Sequence, residues 1–138
     1  MEPQKASREF LPRREEKPFR TMTKRVIAGI QEVHSSLGPG LLETVYEEAL
    51  AHEFQLQGLR FLRQKEANFS HKGMNIGWHR GDFLVEDEVV VEMKSVEKIH
   101  GIHEAQLMAS LRSLDKRTGL LVKMNVVRLS EGIKKMVL

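Results

Sequence analysis

The chain has no cysteine, and that single absence removes disulfides, thiolate metal sites and cysteine nucleophiles together. It also has no apolar run approaching the roughly 20 residues needed to span a bilayer. The opening residues, MEPQKASREF, are polar and charged, without the apolar stretch of a secretory signal. No internal repeat or low-complexity tract interrupts the sequence. A cytoplasmic protein without membrane contact is the expectation.

What is present suits one domain. The chain is 138 residues long, 41% hydrophobic and 30% charged, which is enough for a single core. A pI near 9.3 points towards phosphate-bearing partners, yet the charge is unevenly placed. Residues 1–25 hold eight Lys/Arg against four Asp/Glu, whereas residues 26–138 hold 14 against 15. The basic excess sits in an N-terminal segment with Pro3, Pro12 and Pro18 and no sustained apolar period. Residues 1–22 are therefore expected as a basic, flexible tail, and 23–138 as the single domain. Such a tail can dock on phosphates or remain a solvated leader.

Periodicity sets the elements. Val26, Ile27, Ile30, Val33 and Leu37 predict a first helix, with Thr23 as its N-cap and Gly38-Pro39-Gly40 as its stop. Leu42, Val45, Tyr46, Ala49, Leu50 and Phe54 predict a second, ended by Gly58. Strands are expected near 60–64, 67–71 and 74–78, followed by a hairpin over 82–86 and 89–95. HEAQLMASLRSLDK reads as a third helix with Ala105, Leu107, Met108, Leu111 and Leu114 inward, and TGLLVKMNVV and GIKKMVL read as two more strands. The fold class is α/β in the mixed sense, a central mixed sheet flanked by helices.

The chemistry gathers on GDFLVEDEVVVEMKSVEK, residues 81–98. A run of three valines marks a buried strand, and Glu92 and Lys94 follow it directly. Buried charge is tolerated mainly where it is paired or used. Side chains two apart on a strand share a face, so Glu92 and Lys94 project together. Asp82 stands ten positions before Glu92. The two are opposed in a hairpin only if an odd number of residues is left unpaired, for example Glu86, Asp87 and Glu88. A two-residue loop would set Asp82 against Met93 instead. Two carboxylates beside a lysine form a hard-oxygen set suited to Mg²⁺ or Mn²⁺. The plain alternative is a salt bridge between Glu92 and Lys94 at the edge of the core.

Further blocks stand around this hairpin. GPGLLETVYEEAL contains Gly40-x-x-Glu43-x-x-Tyr46, and HEAQLMASL carries Gln106 near the start of the third helix. From about Thr23 to Leu138 the chain resembles the GxxExxY family, a branch of the PD-(D/E)XK nuclease superfamily. That resemblance implies a restriction-endonuclease-like core with helices on both faces of a mixed sheet. It implies Asp82, Glu92 and the Met93 carbonyl as ligands of Mg²⁺ or Mn²⁺, and Lys94 as the catalytic lysine. Glu43 would be the helical acid that reaches the metal directly or through water, and Gln106 the glutamine of the following helix. Ser110 stands where that superfamily often has an aromatic residue, four positions after the glutamine.

Simpler readings accompany several residues. An acid in the first turn of a helix, such as Glu43, is favoured by the dipole alone. Tyr46 lies on an apolar stripe and is expected in the core with its hydroxyl bonded, and Gly40 is expected as backbone punctuation. His34, His100 and His103 lack zinc-site spacing and are expected in hydrogen-bonding roles. The resulting expectation is a metal-dependent nuclease acting on nucleic acid, DNA first. A nuclease-fold binding module without activity and an interaction domain with an internal salt-bridge network are the alternatives. Double-strand cleavage by so small a body would call for two copies, so a homodimer is the candidate assembly.

Overall fold

In the computed structural model, residues 8–13, 19–95 and 99–138 are described. Met22, Val26, Ile30 and Val33 recur at helical spacing and are each at most 5% exposed. They line α1, Phe19–Leu37. The expected start at Thr23 is therefore too late. The apolar period reaches back to Met22, and Thr23 is buried within the helix rather than capping it. The expected tail also shrinks, because Glu9–Phe10 forms a short edge strand, β1, and Phe10 packs near Phe61. Residues 1–7 and 14–18 of that segment lie outside the described residues.

Helix α2 runs Glu43–Leu56 and buries Tyr46, Leu50, Ala51 and Phe54. Leu42 and Val45, expected inward, are exposed. The buried stripe is turned towards Ala51, which lies one turn after Glu47. Beyond Gly58 the chain forms two long strands, β2, Phe61–His71, and β3, Met74–Val85. The expected short strands merge into these two, because Lys72-Gly73 is the real turn and Gly77 lies inside β3. Strand β4, Val89–Met93, is followed by α3, Gly101–Leu114, then β5, Thr118–Val122, and β6, Ile133–Val137.

The six strands lie in chain order in one sheet. All neighbours are antiparallel except β4 and β5, which run parallel. A parallel pair needs a crossover, and α3 supplies it. One face of the sheet, with Phe83, Val85, Val89, Val91 and Leu120, packs under α1 and α2. The other, with Leu84, Val90 and Leu121, packs under α3. The expected mixed sheet with helices on both faces is the observed architecture.

The sheet has one irregularity close to the charged hairpin. Gln64 has a left-handed backbone, φ 58°, and the β2–β3 pairs run Arg63↔Phe83 then Lys65↔Gly81 without a Gln64–Asp82 pair between them. The alternation of sides breaks there. Phe83 belongs to the α1/α2 face, whereas a Cβ on Gly81 would meet Val90 and Glu92, on the α3 side.

Candidate active site

The β3–β4 hairpin pairs Val85↔Val89, Leu84↔Val90 and Phe83↔Val91, leaving Glu86, Asp87 and Glu88 as the odd-numbered loop that the Asp82–Glu92 separation requires. Glu86 and Asp87 take left-handed conformations to close it. The ladder ends one step before Asp82 and Glu92. Strand β4 continues beside β5 to Met93↔Val122, so the Met93 amide has lost its β3 backbone partner. It donates instead to Asp82 Oδ2 at 2.7 Å. The two strands thus separate at the residues that carry the charge.

Glu92 is 2% exposed. Its Oε1 contacts His79 Nε2 at 3.0 Å. Its Oε2 is buried without a hydrogen bond and lies 3.7 Å from Lys94 Nζ. A buried carboxylate oxygen left in this state is costly, unless a cation completes it.

Glu43 enters from the first turn of α2 and lines a small cleft with Tyr46, Met93, Lys94 and Asn125. The loop before it is tightly held. Gly40 sits at φ +108°, a region that side-chain-bearing residues rarely adopt. The Tyr46 hydroxyl donates to the Gly38 carbonyl at 2.6 Å and accepts from the Leu41 amide at 3.1 Å. Asn125 Oδ1 accepts from the Gly40 amide at 2.6 Å, and its Nδ2 donates to the Leu41 carbonyl at 3.1 Å. Tyr46 therefore has the core position and bonded hydroxyl expected of it, and it also fixes where α2 starts. Tyr46→Phe should cost about 1–2 kcal/mol by urea unfolding, because it strands the Leu41 amide and the Gly38 carbonyl. A variant as stable as wild type would show that Asn125 alone holds the loop.

The electrostatics are lopsided. Burial pushes the Asp82 carboxyl up to about 6, against the opposing pull of the Met93 amide, and Glu47, Glu43 and Glu92 add to the rise. Burial also raises Glu43, partly offset by Lys94, with Glu47 raising it further. Glu43, Asp82 and Glu92 thus crowd together with Lys94 as their near cation, while Glu47 behind them is paired with Arg63. Among the described residues no three His, Asp or Glu side chains converge into a chelating cluster. Mg²⁺ requires none, since it binds through one or two carboxylates and keeps several waters. The uncompensated negative charge, the hard oxygen donors and the unbonded Glu92 Oε2 fit such an ion.

Two neighbours of the site were not legible in the sequence. Glu47 receives a hydrogen bond from Gln64 Nε2 at 2.7 Å and lies 3.6 Å from Arg63 Nε. It stands four residues after Glu43, one helical turn on, and that spacing was the available signal. His79 touches Glu92, yet plain alternation from Phe83 would send it to the α1/α2 face. Only the break at Gln64 turns it to the α3 side. Gln106 is exposed on α3, and no hydrogen bond or ion pair ties it to Asp82, Glu92 or Lys94. His34 contacts the Val126 carbonyl at 2.7 Å, and His103 Nδ1 accepts from the His100 amide at 3.0 Å. Both match the hydrogen-bonding roles expected of them. A roomier hollow of about 410 Å³ lies between β2 and the end of α3, lined by Lys65, Asn68, Ser113 and Lys116. None of Glu43, Asp82, Glu92 and Lys94 lines it.

A family model described as PD-(D/E)XK nuclease superfamily matches residues 20–136, which is nearly the whole described body. No curated protein and no solved structure matches the chain.

Proposed function

This chain belongs to the PD-(D/E)XK nuclease superfamily, and we propose that it is a metal-dependent nuclease that hydrolyses phosphodiester bonds, in DNA before RNA. The observation that carries the proposal is the Glu92 carboxylate. It is buried, unbonded at Oε2, next to Lys94 and one step beyond the last β3–β4 pair, where Asp82 meets the Met93 amide. Superfamily membership alone would leave the chemistry open.

Asp82, Glu92 and the Met93 carbonyl would hold Mg²⁺ or Mn²⁺, with Glu43 reaching it directly or through water. Such an ion lowers the pKa of bound water and screens charge developing on a phosphoryl group. The chain's own groups set the rest. The Met93 amide fixes Asp82 Oδ2, and the other oxygen would serve the ion. His79 fixes Glu92 Oε1 and leaves Oε2 free. The Lys94 ammonium orients the attacking water and stabilises negative charge on the phosphoryl oxygens. Gln106, exposed at the start of α3, is assigned a contact with the substrate strand.

The test is cleavage of a mixed panel of linear, supercoiled, branched and single-stranded DNA, and RNA, with Mg²⁺, Mn²⁺ or chelator. Metal-dependent cutting is the expected result, and the substrate cut defines the class. Lys94→Met should slow that cutting by about 100-fold or more while metal still binds. Nucleic-acid binding with no cutting under any metal would move the assignment to a binding module with a relict site.

A further inference from the structure

Strands β2 and β3 are much longer than their neighbours. Strand β4 stops pairing with β3 at Phe83↔Val91, while β2 and β3 remain paired from there out to His71↔Met74. The outer part is a two-stranded arm that projects past the acids. Residues two apart on a strand share a face, which places Trp78 with Arg80 on β3; beyond Trp78 the ladder shifts register between Phe69 and Ser70, so Ile76 and Met74 near the tip fall outside that alternation. Met74 is 69% exposed, Ile76 64% and Trp78 57%. Large apolar side chains left this open on one short arm are uncommon without a partner.

The partner's chemistry is written beside Trp78. The Arg80 guanidinium lies 4.9 Å from the centre of the Trp78 ring and is steadied by Glu66 at 3.1 Å. Trp78 is thus backed by a cation while more than half of its surface stays open. Lys65, Lys72 and Arg80 outweigh Glu66 along residues 65–80, so the arm is cationic. Inward along the sheet, Gln64 is bonded to Glu47, and Asp82 is two residues beyond Arg80. At about 3.3 Å per residue, Trp78 lies about 13 Å from Asp82 along the strand, a reach of a few nucleotides. An aromatic plane beside a cation is how unpaired bases are held, by stacking on the ring with the phosphates drawn to positive charge. Intact duplex hides its base faces and offers an indole nothing to stack on.

We propose that the β2–β3 arm is a substrate platform on which Trp78, backed by Arg80, stacks an unpaired base of a strand that continues to Asp82 and Glu92. The site is therefore built for single-stranded, flapped or branched nucleic acid rather than continuous duplex. This deepens the nuclease reading and rests on it for the polymer, while its test reads binding separately from cutting.

Trp78 is the chain's one tryptophan, so its fluorescence reports the platform directly. The full-length protein in chelator would be titrated with a single-stranded thymidine oligonucleotide and with a blunt hairpin duplex. Saturable quenching by the single strand, weakening with salt and small for the duplex, is the expected result. Trp78→Ala should weaken single-strand binding, followed by anisotropy of a labelled oligonucleotide, by about 5- to 150-fold, equivalent to ~1–3 kcal/mol. Trp78→Phe should recover most of that loss, because it restores a flat ring and not merely bulk. Unchanged fluorescence in a protein that still cuts the panel would overturn the platform and leave the nuclease standing. Quenching without cutting under any metal would keep the platform and remove the nuclease. A spectrum that shifts with protein concentration alone, with a doubled mass by light scattering, would make the arm a self-association face and overturn the proposal.

Discussion

Glu92→Gln should leave a folded protein whose metal-dependent cleavage has fallen by at least about 1000-fold, the equivalent of ~4 kcal/mol of barrier. Glutamine has the same shape as glutamate, so His79 keeps its partner 3.0 Å away. What disappears is one negative charge at Oε2, the oxygen that no hydrogen bond occupies. An ion supplies several kcal/mol of transition-state stabilisation in such chemistry, and a neutral amide oxygen holds it poorly. The rival salt-bridge account predicts a different pattern. If Glu92 served chiefly to neutralise Lys94, removing its charge would strand that ammonium and cost roughly 3–5 kcal/mol of stability. The arrangement argues against so large a loss. Lys94 retains some solvent access, with 19% of its side chain exposed, and Glu43 acts on it from α2. Cleavage and urea unfolding of both proteins, run together in Mg²⁺ and in chelator, separate the accounts. A variant that cuts as fast as wild type would sink the assignment of Glu92. A large loss of stability in chelator would favour the salt bridge.

The fold and the site are legible in the sequence where the chain obeys simple periodicity. The valine run marks the buried strand, and the even Asp82–Glu92 separation calls for an odd-numbered loop if the two acids are to be opposed, which the three residues Glu86, Asp87 and Glu88 meet. The mixed sheet follows from the order of the strands and the helix between β4 and β5. The start of α1 is harder to place, because a threonine at a plausible boundary looks like a cap. Tertiary burial of Met22 decides the matter, and that is invisible locally. His79 illustrates the harder failure. Alternation along β3 assumes a regular strand, and a single left-handed residue, Gln64, sits on the neighbouring strand. Nothing in the residues around His79 reveals that break. The GPGLLETVYEEAL segment carries more than its acid, since Tyr46 acts through a turn held jointly with Asn125, 79 positions away. Contacts of that range come only with the fold.

The second large effect is on stability and runs opposite to the usual behaviour of an aspartate. In the folded protein without a cation the Asp82 carboxyl titrates near 6, against an ordinary 3.8. Between those values the native state holds a proton that the unfolded chain has released, so stability falls as pH rises through that window. The contribution is fully present below pH 4 and lost above about 6. At one pK unit per 1.36 kcal/mol the limit is roughly 3 kcal/mol, and residual hydration brings the expectation down to about 1–2. The chelated protein should therefore unfold at lower urea at pH 7 than at pH 5. Asp82→Asn should flatten that slope and be the more stable protein at pH 7, because it removes a carboxylate crowded by Glu47, Glu43 and Glu92. Mg²⁺ should reverse the ranking. It stabilises whichever protein binds it, by about 2.7 kcal/mol at a hundred times its dissociation constant, and only wild type retains the full acid pair. Equal stabilisation of both proteins by Mg²⁺ would remove Asp82 from the ligands. An unchanged pH slope in Asp82→Asn would mean that another carboxylate in the cluster carries the shared proton. The two results are independent, so the site's charge imbalance and its metal can each be tested without a known substrate.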